Sequence, residues 1–297
     1  MTVLLPAIIP VAFIILVGVI VGKTLTLHKQ TLSQLSVYVL APALVADSLY
    51  TTTISPQNAT QILLGVFIVA LILYGLVSII SSFLKLPLVT RKSLIATSLH
   101  PNNGNMGLPL VDFALGSAGL ERAIIYMIGS SILLFGVAPA ILAGTSLKHS
   151  LKVIFQLPLI WAMLAGLALR LLQIKLPFNL GEALHLLGRA AIPVALIILG
   201  IELVNTPFRV TNFELISLNF RLVLAPLIAL LVGKTIQLPP LDLQVFILQS
   251  AMPTAVNTVV LATEFGGEAA KVARTIVVTT LLSFLTLPFV LWVADKV

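Results

Sequence analysis

Three asparagines, Asn102, Asn103 and Asn105, stand among Pro101, Gly104, Gly107 and Pro109 inside an otherwise apolar run. Side-chain amides donate and accept hydrogen bonds but do not attack or titrate, so the chemistry on offer is recognition. Proline removes one backbone donor and clashes with the preceding turn. A helix broken there leaves carbonyls free before the break and N–H groups free after it. In hydrocarbon such groups are tolerated only when buried in protein or lining a wet cavity. The stretch therefore predicts an interrupted transmembrane helix at a binding site.

A second stretch repeats the device. Shifting the chain by about 152 positions lays Pro101 on Pro253 and Asn105 on Asn257, along with Pro6 on Pro158, Leu86-Pro87 on Leu238-Pro239 and Arg122 on Arg274. Each break should aim the N-terminus of its second half-helix, with its partial positive charge, at the space between them. A carboxylate fits there, with the amides of Asn105 and Asn257 as further donors. The same amides could accept from a neutral ligand, and the freed carbonyls could hold Na⁺ or a water. Asn102, Asn103, Gly104, Met106, Gly107 and Thr254 complete the expected lining, and Pro101 and Pro253 are the expected helix breakers at the site.

Three further residues are candidates for coupling or gating. Arg221, with Asn219 beside it, lies inside an apolar span, where an ionisable side chain is costly and functional by default. Its counterparts in the first half, Val69 and Phe67, are apolar. His100 beside the break could titrate near neutrality and couple transport to protons, or could sit neutral against a carbonyl. Asp47 and Glu202 read as interfacial, Arg122 and Arg274 as anchors, and Gly18 with Gly22 as a helix-packing pair.

The elements that must position these residues follow from composition. Of 297 residues 59% are hydrophobic and 9% charged, with a mean hydropathy of +1.14. Each span needs about 20 apolar residues. Ten are expected, over 3–22, 32–50, 60–83, 91–115, 121–145, 152–173, 182–203, 213–233, 242–264 and 270–293. With five spans per half, the second half enters the membrane from the opposite side. The fold class is thus an all-α membrane protein: two inverted five-helix repeats, 1–148 and 149–297, with broken fourth and ninth helices whose breaks meet. Inverted repeats are a common basis of alternating access.

The net charge of +7 is read by location, not as a nucleic-acid signal. Lys23, Lys29, Lys85, Arg91, Lys92, Lys148, Lys152, Arg209, Lys271 and Arg274 fall at odd-numbered connections, which places those inside and both termini outside. The first apolar run reads as an uncleaved span instead of a signal peptide. The absence of cysteine excludes disulfide and thiol chemistry. Asn58-Ala59-Thr60 has the form of a glycosylation sequon, relevant only in a secretory pathway.

The segments PNNGNMGLPL and AMPTAVNTVVLATEFGG, the ten spans and the short connections resemble the auxin efflux carrier family of membrane transporters. The resemblance covers essentially the whole chain. It implies a scaffold of spans 1, 2, 6 and 7, a moving unit of spans 3–5 and 8–10, crossover at Pro101 and Pro253, and contact of Asn105 and Asn257 with a substrate carboxylate. The short Thr145–Lys152 connection matches bacterial members, and the absence of charge from Gln61 to Phe83 departs from plant plasma-membrane carriers.

A permease for small organic anions, malate- or malonate-like or auxin-like, is the function expected, with a channel or ligand-binding membrane sensor as the competing reading. HExxH, GxSxG and P-loop patterns are absent, which argues against a membrane enzyme or a primary pump. No bound cofactor is expected; H⁺ or Na⁺ coupling stays open. The expected partners are a small organic acid, the lipid bilayer and, by resemblance, a second copy through the scaffold helices. The plasma membrane of a bacterium is the expected location.

Overall fold

In the computed structural model the described residues are 4–138, 147–204 and 206–297, and among them every regular element is helical. Seven stretches are long and apolar enough to cross a bilayer: Pro6–Thr24, Lys29–Thr51, Pro56–Phe83, Asn103–Val137, Leu180–Val204, Asn212–Thr235 and Ala269–Ala294. Large apolar side chains such as Leu71, Phe83 and Leu285 point outward, as they do when the surrounding solvent is lipid. The connection between the halves lies partly outside the described residues, since 139–146 are not among them.

The helices α1 (Leu4–Thr24), α2 (Lys29–Leu35), α3 (Ala41–Thr51), α4 (Pro56–Phe83), α5 (Leu88–Leu99) and α6 (Leu108–Ile132) come from the first half. The second half supplies α7 (Leu147–Gln156), α8 (Pro158–Leu171), α9 (Leu180–Val204), α10 (Asn212–Leu218), α11 (Ala225–Thr235), α12 (Pro240–Ser250), α13 (Thr258–Glu264) and α14 (Ala269–Ala294). Several expected spans are therefore in pieces. The span expected over 152–173 is divided at Leu157, whose ψ is 122°, because Pro158 disfavours helical geometry in the residue before it. The loop expected between 115 and 121 is only a kink in α6, where Gly116 takes φ 66°, a conformation glycine adopts without steric cost.

One packing layer joins α1, α3, α8 and α9. Gly18 and Gly200 let α1 and α9 touch backbone to backbone: a Cβ on Gly200 would stand 2.2 Å from the Ile15 oxygen. Gly166 against Ala46 and Gly188 against Leu44 do the same for α8 and α9 on α3. Small residues at such seams are how membrane helices gain dispersion contacts where no hydrophobic driving force separates helix from lipid. Ion pairs brace the layer near both ends, Lys29 with Glu202 and His185 with Asp47. Asp47 and Glu202, expected as interfacial, each have a partner.

A second group of helices is pinned differently. Arg122 bonds Asp242, and Arg274 bonds Glu214 at 2.9 Å, with both carboxylates fully buried. These two arginines, expected as anchors at span ends, instead tie α6 to α12 and α14 to α10. Between those pins, α5 stops at Leu99, after which His100 is extended, and α12 stops at Ser250, after which the chain leaves the helix through a turn at Ala251. Those two interruptions meet.

Candidate functional site

The interruptions pair as a short antiparallel bridge between Pro101 and Thr254. The Asn102 N–H donates to the Pro253 oxygen at 2.7 Å, and the Ala255 N–H donates to the His100 oxygen at 2.9 Å. Proline at both breaks stops the helices, and the freed backbone groups satisfy one another. Beyond the bridge the first chain makes a wide π turn over Asn103–Gly107 before α6 begins. Thr254 adds two side-chain links to this knot: its hydroxyl donates to the Thr97 oxygen at 3.0 Å, and its N–H reaches Thr279.

Arg221 closes the other side of the knot. Its guanidinium donates to the oxygens of Ser98 at 2.6 Å, Met252 at 3.0 Å and Ser250, and the residue is 1% exposed. Ser98 lies in the last turn of α5, while Ser250 and Met252 lie at the end of α12. These are the orphan carbonyls of two helix ends, where partial negative charge gathers and a cation is stabilising. Among the described residues Arg221 has no carboxylate partner.

In front of the bridge lies a cavity of about 150 Å³. Asn102, Asn103, Asn105 and Asn257 line it together with Ser36, Ser130 and Ser131 and with the apolar Val37, Leu134, Phe135 and Leu159. Asn105 is half-buried and Asn257 exposed, and neither side-chain amide bonds another described residue. Asn102 and Asn103 are 4% and 3% exposed, and the Asn102 amide nitrogen has no partner. Asn257 and Val256 also border a second space of about 700 Å³, walled by Lys29, Glu202 and Thr206. The asparagine cavity thus has a vestibule beside it.

The structure brings Pro101, Asn102, Asn103, Gly104, Asn105 and Asn257 to one cavity. It does not bring the rest. Met106 is fully buried against Ser283. Gly107 faces Gln249, where a Cβ would stand 2.2 Å from Oε1. Thr254 is buried with its hydroxyl on Thr97, and Pro253 acts through its carbonyl. Asn219 is exposed and bonds the Leu215 oxygen; two positions along a helical turn point away from Arg221. His100 borders a small apolar space with Ala70, Ile95 and Leu99, and neither ring nitrogen has a partner.

Gln249 is the residue that sequence reasoning missed. Its Oε1 accepts from Asn103 Nδ2 at 2.9 Å and its backbone oxygen from the same nitrogen at 3.1 Å. The available signal was a glutamine four residues before Pro253 in an apolar run. Its counterpart under the repeat is Thr97, so the shift gave it no amide partner to flag it.

Two helix interruptions bridged to each other and seven apolar stretches long enough to cross a bilayer define a multi-pass membrane protein. The family model described as membrane transport protein matches residues 3–146 and 141–291, and the chain belongs to that family, the auxin efflux carrier family. An uncharacterized transporter of Methanothermobacter thermautotrophicus is 28% identical over 270 residues, 89% of this chain and 87% of that one. A protein named "Putative malonate transporter" in Rhizobium meliloti is 28% identical over 272 residues, 86% of this chain and 84% of that one. An uncharacterized transporter of Methanocaldococcus jannaschii is 25% identical over 276 residues, covering 90% of each.

Proposed function

We propose that the chain is a secondary transporter for small organic anions, working by alternating access about the crossed breaks. Ten membrane crossings in two inverted repeats, 1–148 and 149–297, form the frame, with the seven long stretches completed by the pieces of the fourth, sixth and ninth spans. Spans 1, 2, 6 and 7 are the scaffold, and spans 3–5 and 8–10 move against it. The glycine seams of α1, α3, α8 and α9 support the first grouping, and the buried Arg122–Asp242 and Arg274–Glu214 pairs support the second as a rigid body.

The observation that carries the reading is the meeting of Asn105 and Asn257, from opposite halves, on one cavity that contains no charged side chain among the described residues. The Asn103 N–H is held by the Pro101 oxygen at 2.9 Å, which leaves the N–H groups just after it, at Gly104 and Asn105, as the orphans of the turn. Together with the amides they offer donors to a carboxylate, while Arg221 supplies positive charge behind the bridge. The size suits a small acid: a cavity of about 150 Å³ holds a molecule the size of benzene. The relative named for malonate favours a short dicarboxylic acid as the first to try.

With odd connections inside, the Lys29–Glu202 vestibule faces the cytoplasm and the structure is inward-open, in the plasma membrane of a bacterium with both termini outside. Arg221 occupies the Ser98, Ser250 and Met252 oxygens that a Na⁺ could otherwise use, and His100 borders a small apolar space with neither ring nitrogen partnered. Counterflow in vesicles tests the function: preloaded malonate should accelerate uptake of labelled malonate. Conductance without counterflow identifies a channel, and binding without flux a sensor.

A further inference from the structure

Two places that the shift of about 152 positions makes equivalent are in opposite states. Where α3 ends, the Glu121 carboxylate of α6 accepts from the Thr52 hydroxyl at 2.7 Å and from the Thr53 N–H at 2.9 Å. Thr52 is 3% exposed, and its hydroxyl in turn accepts from the Ile54 N–H at 3.3 Å. The neighbouring Arg122 is bonded to the buried Asp242, which fixes this part of α6 to α12. The shift carries Thr52 to Val204 and Glu121 to Ala273. There the elements stand apart: Ala273 borders the space of about 700 Å³ whose lining includes Glu202, Leu203 and Thr206 from around the end of α9. Leu108 and its counterpart Val260 differ in the same sense. Leu108 is 3% exposed, whereas Val260, on the vestibule, is 54% exposed.

In an inverted repeat, equivalent positions lie at opposite faces of the membrane, and alternating access exchanges the conformations of the two halves. Opening the second face must then part α3 from α6, and Glu121 must give up both donors. Closing the vestibule returns nothing in kind, because Ala273 has no group with which to make the bond. Two states related by such an exchange differ in population only through contacts that one makes and the other lacks, and bonds to a charged acceptor are among the stronger ones. We infer that Glu121 is a one-sided gate latch: by holding Thr52 and Thr53 it keeps the seam between α3 and α6 shut and biases the resting protein toward the vestibule-open state. This rests on the alternating-access reading above and goes beyond it by naming the residue that sets the balance.

The chain has no cysteine, so single cysteines can report each face. Leu108→Cys and Val260→Cys are labelled with a water-soluble maleimide on the purified full chain in detergent, where both faces meet the reagent, each alone and combined with Glu121→Ala. Position 260 should label rapidly and position 108 slowly. Glu121→Ala should speed labelling at 108 by about tenfold, the lower end of what a lost hydrogen bond to a charged group is worth, with labelling at 260 unchanged or slower. Thr52→Val removes the hydroxyl from the other side of the contact and should act in the same direction. Glu121→Gln keeps an acceptor oxygen and should do less than Glu121→Ala. Labelling at 108 that Glu121→Ala leaves unchanged overturns the latch, and so does a rise at both positions together, which marks general loosening. No acid enters this measurement. A shift at 108 in a protein without malonate counterflow keeps the latch and removes the transport reading, whereas normal counterflow with no shift removes the latch alone.

Discussion

Nη1 of Arg221 lies 2.6 Å from the carbonyl oxygen of Ser98, and the same guanidinium reaches Met252 and Ser250 on the other broken helix. One side chain thereby caps two helix ends from different halves of the chain. Arginine can do this because its planar fork presents several donors in fixed directions, whereas lysine offers a single ammonium. Replacing it with methionine leaves buried carbonyls without donors, at about 1–3 kcal/mol each. Arg221→Met should lower the melting temperature in detergent sharply, and Arg221→Lys should recover only part of the loss. An unchanged melting temperature in Arg221→Met would show that the carbonyls find other partners.

The asparagine pair predicts a different signature. Neither Asn105 nor Asn257 bonds another described residue, so truncating either removes no internal contact. A hydrogen bond to a charged group is worth about 1.5–3 kcal/mol, which corresponds to about 10- to 100-fold in affinity. Asn105→Ala and Asn257→Ala should each weaken malonate binding by about that factor with little change in melting temperature. Normal affinity in both variants would remove these residues from the site.

Close approaches at two glycines should separate packing from conformation. A Cβ on Gly107 meets Gln249 Oε1 at 2.2 Å, and one on Gly200 meets the Ile15 oxygen at 2.2 Å, while one on Gly75 meets nothing within 4 Å. Overpacking typically costs about 1–3 kcal/mol. Gly107→Ala and Gly200→Ala should both destabilise, and Gly75→Ala, in the middle of α4, should be neutral or mildly stabilising. The Gly107→Ala loss should shrink when Gln249 is truncated as well, because the side chain it strikes is gone; the Gly200→Ala loss should not. Additive losses for Gly107 and Gln249 would contradict the contact.

At the edge of the membrane-spanning part, Glu268 precedes α14. Burial acts to raise its carboxyl, but hydrogen bonds from Lys271 and Thr90 and the charges of Lys271 and Arg274 outweigh it and hold the group below the usual carboxylate range. A carboxyl lowered in the folded state stabilises fully above its unfolded pKa, near 4.3, and that contribution fades as pH falls through the lower folded value. Acid melting profiles should therefore drop less steeply in Glu268→Gln than in the unsubstituted chain. With 30% of the side chain accessible, solvent screening keeps the difference small. Identical profiles would mean that the Lys271 pairing does not survive in solution.

Much of the site was legible before any coordinates because its ingredients are local and rare. Proline within an apolar run says that a helix stops there, and the recurrence of Pro101 and Asn105 as Pro253 and Asn257 says that it stops twice in related surroundings. What failed was finer. Asn219 and Arg221 are neighbours in sequence but lie on different sides of their turn. Met106 and Thr254 fall within the asparagine segments yet face inward, because the turn at Asn103–Gly107 and the bridge at Thr254 turn them away from the cavity. Gln249 was passed over because its partner, Asn103, stands 146 positions away.

The sequence by itself determined the solvent, the places where helices break and the absence of catalytic chemistry, since these follow from composition and from residues whose backbone limits hold in any context. Only the tertiary structure decided which carbonyls Arg221 would cap and which amides would meet at one cavity. Those are matters of distance between segments far apart in the chain. No local propensity encodes them, and they exist only once the two halves have packed.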